Sequence, residues 1–272
     1  MAVLFPAFCY AGNENYTTGS RTAALGGANI TLCDVWSANL NQAGLAYLNQ
    51  YSIGAFYENR FMLQQTGLKT IVGAVPTKAG VFGFSVVQFG YSAYSEGKYG
   101  LAYARKLGND VSVGFQLNYV TARAGDIYGS NNNITAELGF RAKIIDNFYV
   151  AAHIYNLSHA KFDDFNNEYI PTILRAGLDY RFSKRALVIA EAVHDGRNPL
   201  QIKAGIEYNT QEKFYLRTGI STNPFSQAFG VGIKLHELHM DIGTAYHYVL
   251  GFSPNVSLWF VFGKAKEEEI TQ

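Results

Sequence analysis

From Tyr51 onward, apolar and polar residues alternate with a period of two, the pattern of strands whose two faces meet different surroundings. In one stretch Ile134, Ala136, Leu138, Phe140, Ala142 and Ile144 share a face, against Thr135, Glu137, Gly139, Arg141 and Lys143 on the other. Leu174 to Phe182 repeats this against Arg175, Gly177, Asp179 and Arg181, and Leu200 to Tyr208 repeats it against Gln201, Lys203, Gly205 and Glu207. Polar turns divide residues 51–264 into fourteen such strands. The turns at Gly108, Asp146, Ser183, Gln211 and Glu237 are tight and fall on one side. Longer links, at Gly125 to Asn132 and His159 to Tyr169, fall on the other.

Alternation alone fits a soluble sandwich as well as a membrane barrel. Strand length separates them, because runs of about 10 to 14 residues exceed the usual five or six and suit a tilted crossing of the hydrocarbon. Aromatic residues gather near apolar strand ends, as at Tyr180 and Phe182, Tyr246 and Tyr248, and Phe260 and Phe262, where an interfacial girdle would put them. The pattern predicts an all-β fold, a 14-stranded antiparallel transmembrane β-barrel over 51–264, with a tail at 265–272. An even strand number returns both termini to one side, the periplasm in bacterial outer-membrane barrels.

The stretch from Gly19 to Ala46 fits neither a strand nor an amphipathic helix, and with its flanks (12–50) it is expected to form a hatch against or inside the barrel. Asn39, Asn41, Gln42 and Gly44 are its candidates for meeting the lumen. The charges predicted to line that lumen include Glu137, Arg141, Lys143, Arg175, Asp179, Arg181, Lys203, Glu207, Arg217, Lys234 and Asp241. Their signs interleave, which points to bracing salt bridges, or to a grip on the hatch amides, rather than to ion selectivity. Residues 1–11 are almost wholly apolar and end in Cys9-Tyr10-Ala11, reading as an export leader without its basic start.

Composition agrees. Only 16% of residues are charged, while Gly reaches 27 residues and Tyr and Phe 19 each. The net charge of +1 and the absence of a basic run leave no footprint for nucleic acid. Six histidines accompany neither a G-x-S-x-G nor an H-E-x-x-H motif, so no enzyme, cofactor or metal site is expected. His236-Glu-Leu-His239 reads as turn polarity, and Asp163, Asp164 and Glu168 as a solvated outer loop.

The opening stretch, in Leu25-Gly-Gly-Ala, Cys33-Asp and Asn41-Gln-Ala-Gly-Leu-Ala46, resembles the N-terminal region of the FadL-like outer-membrane barrels, nearest to the PorV/PorQ branch of Bacteroidota associated with type IX secretion. Gln42 stands where that branch usually has proline. Leu216 to Pro224, Phe229 to Lys234 and Leu250 to Pro254 read like the closing hairpins of the same branch. The resemblance implies a non-enzymatic accessory barrel in protein export or envelope assembly, anchored in outer-membrane lipid and holding protein partners. Two alternatives stand beside it: FadL-like passage of a small hydrophobic ligand, and a structural subunit of a larger envelope complex. Short outer loops weigh against uptake. A local kink or gap in the wall is an option at Pro76 to Gly83.

Overall fold

The structure, a computed structural model, describes residues 15–125, 130–163, 168–196 and 198–263. The leader proposed at 1–11 and the tail at 265–272 lie outside them. Fourteen antiparallel strands close into one barrel. In chain order they are β1 (Tyr51–Asn59), β2 (Gly67–Thr77), β3 (Gly80–Gly90), β4 (Tyr94–Leu107), β5 (Val111–Ala124), β6 (Ser130–Ile145) and β7 (Phe148–Tyr155). A short hairpin of β8 (Lys161–Asp163) and β9 (Glu168–Tyr169) follows, apart from the wall. The wall resumes with β10 (Ile173–Ser183), β11 (Ala186–His194), β12 (Gln201–Thr210), β13 (Phe214–Ser221), β14 (Ser226–Leu235), β15 (Leu238–His247) and β16 (Gly251–Phe262).

The seam pairs β1 with β16 from Tyr51↔Phe262 to Glu58↔Asn255, so the two ends of the barrel meet at one rim. That rim carries the six tight turns; the opposite rim carries the longer connections, including 156–172 with its hairpin. The β2–β3 ladder runs unbroken from Leu68↔Phe89 to Thr77↔Gly80, so the wall is continuous through Pro76. Pro76 is buried on the inner face.

Burial follows the period of two. On β1 the pattern is strict: Tyr51, Ile53 and Tyr57 point out and Ser52, Phe56 and Glu58 point in. Leu101, Ile134, Leu174, Ile206, Phe229 and Ile242 are among the large apolar side chains on the outer surface. In a water-facing protein such a surface would be an association hazard, whereas hydrocarbon is its natural solvent. Aromatic pairs mark both edges of this belt: Tyr51 stacks on Phe262 at 5.7 Å at the turn rim, and Tyr246 meets Phe252 at 4.8 Å at the loop rim.

The interior is filled by residues 15–48. Here the chain makes one short helix, α1 (Ser20–Ala24), and two 3₁₀ turns, Val35–Ala38 and Gln42–Tyr47. Asp34 caps the first, accepting from Trp36 N at 3.0 Å, and a cap of this kind is worth about 1 kcal/mol. Asn41 caps the second by accepting from Ala43 N, so the turn forms with Gln42 in place of proline. Trp36, Val35 and Leu45 pack on Phe56, Val72 and Val81, which gives β1 to β3 an apolar patch on the inner face as well.

Candidate functional site

The site is the contact between residues 15–48 and the inner wall, with the cavities that flank it. Inward-facing glycines seat the segment. A methyl group at Gly219 would lie 2.1 Å from Leu25 C and 2.2 Å from Gly26 N; one at Gly114 would lie 2.4 Å from Gln42 C; and Gly139 and Gly177 would strike Asn41 and Ile30. The wall lacks side chains where the segment's backbone presses on it. Gly26 and Gly27 themselves have φ of +69° and +82°, a left-handed bend that other residues resist.

Charges hold what the glycines admit. Arg21 of α1 donates twice to Glu207, at 2.8 and 2.7 Å, and once to Asp34 at 3.0 Å. Burial works against the charge on Arg21, but Glu207 and Asp34 outweigh it and raise its pKa. Arg217 bridges Glu207, at 2.6 Å, to Asp241. Glu191 accepts from the backbone N–H groups of Asn29 and Ile30 at 2.9 and 3.1 Å while paired with Arg175. Arg175 also donates to Asn29 Oδ1 and to the Leu40 carbonyl, and Arg141 donates to the Thr31 carbonyl at 2.8 Å. Gln42 donates to Glu137 at 2.9 Å and to Gln116 at 3.0 Å; Glu137 is further paired with Lys98 and His153.

Of the lumen residues expected from sequence, Glu137, Arg141, Arg175 and Glu207 thus touch the segment directly, and Arg217 and Asp241 extend the Glu207 cluster. Asp179 is fully buried but 3.6 Å from Arg181 Nε, beyond hydrogen-bond reach, and Arg181 leans over the Tyr149 ring near the turn rim. Gln42 meets lumen charge and Asn41 reaches the Phe140 carbonyl at 3.4 Å. Asn39 does not meet it: its amide donates to Tyr16 O and Thr18 Oγ1 within the segment, because the 3₁₀ turn directs it back. Gly44 is likewise internal, pressed against the Leu32 carbonyl and Ser37. Sequence reasoning did not single out Arg21, Glu191, Lys98 or His153. Glu191 is the lone charge on an inner face otherwise formed by Leu187, Ile189 and Val193, so alternation gives no polar side to read.

Two cavities flank the segment. The loop-side one, about 550 Å³, is lined by Leu40, Ile173, Val193 and Pro224 with Asn15 and Lys203. The turn-side one, about 520 Å³, includes Arg21, Cys33, Leu187, Glu207 and Tyr215. Lys203 and Glu207 lie on the same face of β12, and Gly205 between them is filled by Leu25. On β11, Val193 and Leu187 lie on either side of Glu191 and Ile189, which hold Asn29, Ile30 and the Leu25 cluster. Leu25 to Ile30 therefore lies between the two cavities along β11 and β12. His239, in the turn-side cavity, stacks on Trp259 at 3.7 Å, while His236 sits in the preceding turn.

No family model and no curated protein matches the sequence. Solved structures do match its fold. The toluene transporter TbuX of Ralstonia pickettii aligns over 92% of this chain and 98% of its own at 12% identity with a TM-score of 0.66. The toluene transporter TodX of Pseudomonas putida aligns over 90% and 99% at 11% identity and 0.65. A FadL homologue of Pseudomonas aeruginosa aligns over 90% and 97% at 11% identity and 0.59. At 11–12% identity, the likeness to these outer-membrane barrels is one of fold.

Proposed function

We propose that this chain is an outer-membrane channel for small hydrophobic molecules, closed at rest by residues 15–48 acting as a plug. The observation that carries the reading is the pair of cavities on either side of Leu25 to Ile30, inside a barrel whose fold neighbours include toluene transporters. The loop rim faces the exterior and both termini the periplasm. A ligand enters the loop-side cavity, where Leu40, Ile173, Val193 and Pro224 offer apolar contact among polar neighbours that include Arg175, Gln201 and Lys203. Displacing Leu25 to Ile30 joins that cavity to the turn-side one. Gln42, Asn41, Arg21 and Arg141 hold the rest of the plug, so the movement centres on the bend at Gly26 and Gly27 and releases Asn29 and Ile30 from Glu191 and Arg175. The reaction is passage without chemistry.

Soaking crystals with bromobenzene tests the reading. Anomalous signal in the loop-side cavity supports it; signal only on the lipid-facing wall refutes it.

A further inference from the structure

Lys203 projects inward from β12 and lines the loop-side cavity, and among the described residues its ammonium makes no hydrogen bond and no ion pair. Its cross-strand neighbour Glu191 is already occupied: one oxygen takes Arg175 Nε at 2.7 Å and the other takes the amides of Asn29 and Ile30. The ammonium lies instead beside the bend of the plug, where a methyl group at Gly27 would stand 3.3 Å from Nζ.

The carboxylates that line the two cavities, by contrast, are all engaged. Asp34 and Glu207 hold Arg21, Glu207 and Asp241 hold Arg217, and Asp195, in the connection after β11, accepts from the backbone N–H of Asn198 at 2.7 Å. At the turn-side cavity the side chains of Lys184 and Arg185 also stand without a partner among the described residues. Unpaired charge lining the route is positive at both ends. The remaining lining is apolar around Lys203, at Leu40, Ile173, Val193 and Pro224, and ring-bearing on the turn side, at Tyr215, His239 and Trp259.

On the channel reading proposed above, on which this step rests, we infer that the preferred substrate is a small aromatic carboxylate, its carboxylate received by Lys203 and its ring by the apolar wall. A hydrocarbon in the same place would strip water from the ammonium and return nothing, whereas a carboxylate replaces that water with a charge-assisted hydrogen bond. An organic cation would meet Lys203 as a like charge. The aromatic body follows from the turn-side rings, which hold another planar ring by stacking or edge contact. Pairing with Lys203 also brings the ligand against Gly27, so the contact that selects the anion places it at the stretch that has to move.

The test follows radiolabelled benzoate, benzylamine and toluene into vesicles carrying the full chain, at neutral pH, where benzoate is an anion and benzylamine a cation, with uptake by empty vesicles subtracted. Benzoate should enter at least about tenfold faster than benzylamine, and Lys203→Met should lower the ratio of benzoate to toluene uptake by about tenfold or more, the scale of one lost hydrogen bond to a charged group. Lys203→Arg, which keeps the charge, should hold that ratio near the parent's. Equal entry of benzoate and benzylamine, or a ratio unchanged in Lys203→Met, with toluene still passing, would overturn the inference and leave the channel reading in place. Entry of neither benzoate nor toluene would overturn both. Heat-modified gel migration of each variant confirms that the barrel has closed, so a folding failure is not mistaken for lost selectivity.

Discussion

Replacing Gly219 by Ala adds one methyl group to the inner wall and nothing elsewhere. That carbon would lie 2.1 Å from Leu25 C and 2.2 Å from Gly26 N, where ordinary contact needs at least 3.4 Å, so the segment must retreat by more than 1 Å. Both obstructing atoms are backbone and cannot rotate aside. The same patch of wall grips the neighbouring backbone, since Gly26 lies against Ile220 and Leu25 fills the notch at Gly205, the cross-strand partner of Gly219. Overpacking of this kind costs about 1–3 kcal/mol. The bonds from Asn29 and Ile30 to Glu191 survive, and the fourteen ladders do not involve the new methyl, so the cost falls on Leu25 to Gly27 alone. At about 1.4 kcal/mol per factor of ten, the displaced state gains roughly 5- to 150-fold. Hydrogen exchange read by mass spectrometry measures this as faster exchange of the amides from Leu25 to Ala28, with wall strands unchanged. Gly67→Ala is the control, because its methyl would find nothing nearer than 3.8 Å. Equal exchange in Gly219→Ala, Gly67→Ala and the parent would refute the seating argument.

Further outcomes follow from the same contacts. Arg21→Gln leaves Glu207 and Asp34 without their partner; breaking a buried pair costs about 3–5 kcal/mol, reduced here to about 2–3 because the Arg21 side chain is 21% exposed. Proteinase K should then cleave within residues 15–48 of the folded barrel at least tenfold faster, and an unchanged rate would remove Arg21 from the clamp. Leu25→Ala, at a fully buried position packed on Leu187 and Ile189, should loosen this stretch of the plug by about 2–4 kcal/mol and speed exchange of the same amides. Burial pushes the Cys33 thiol up to about 11, so the reactive thiolate is scarce at neutral pH. Alkylation of Cys33 should rise about tenfold per pH unit from pH 8 towards 11; a plateau near pH 9 would show an ordinary thiol instead.

Much of the wall was legible in the sequence. On β6, Ile134, Leu138 and Phe140 face out while Thr135, Glu137 and Arg141 face in, as a period of two requires wherever one face meets lipid and the other meets polar partners. The rule loses contrast where the interior is apolar too. Phe56, Val72 and Val81 point inward because Trp36 and Leu45 cover them, and Leu187 and Ile189 do so because Leu25 and Leu32 cover them. The inner glycines were visible on the polar face of the strands, but their purpose was not, since it depends on which backbone approaches each one. The same holds for Asn39, whose amide type suggested a lumen contact while the turn geometry bends it back to Tyr16. Arg21 lay in a stretch without periodicity, and only the closed barrel brings it to Glu207, 186 residues away.

The most direct measurement is the flux of a small aromatic hydrocarbon across vesicles whose outer leaflet is lipopolysaccharide, a layer such molecules cross slowly. Vesicles carrying this chain, inserted with its loop rim outward, should take up toluene faster than empty vesicles, and Gly219→Ala faster still, with no matching rise in sucrose entry. Uptake equal to that of empty vesicles, or a parallel rise in sucrose entry, would contradict a gated route for hydrophobic molecules.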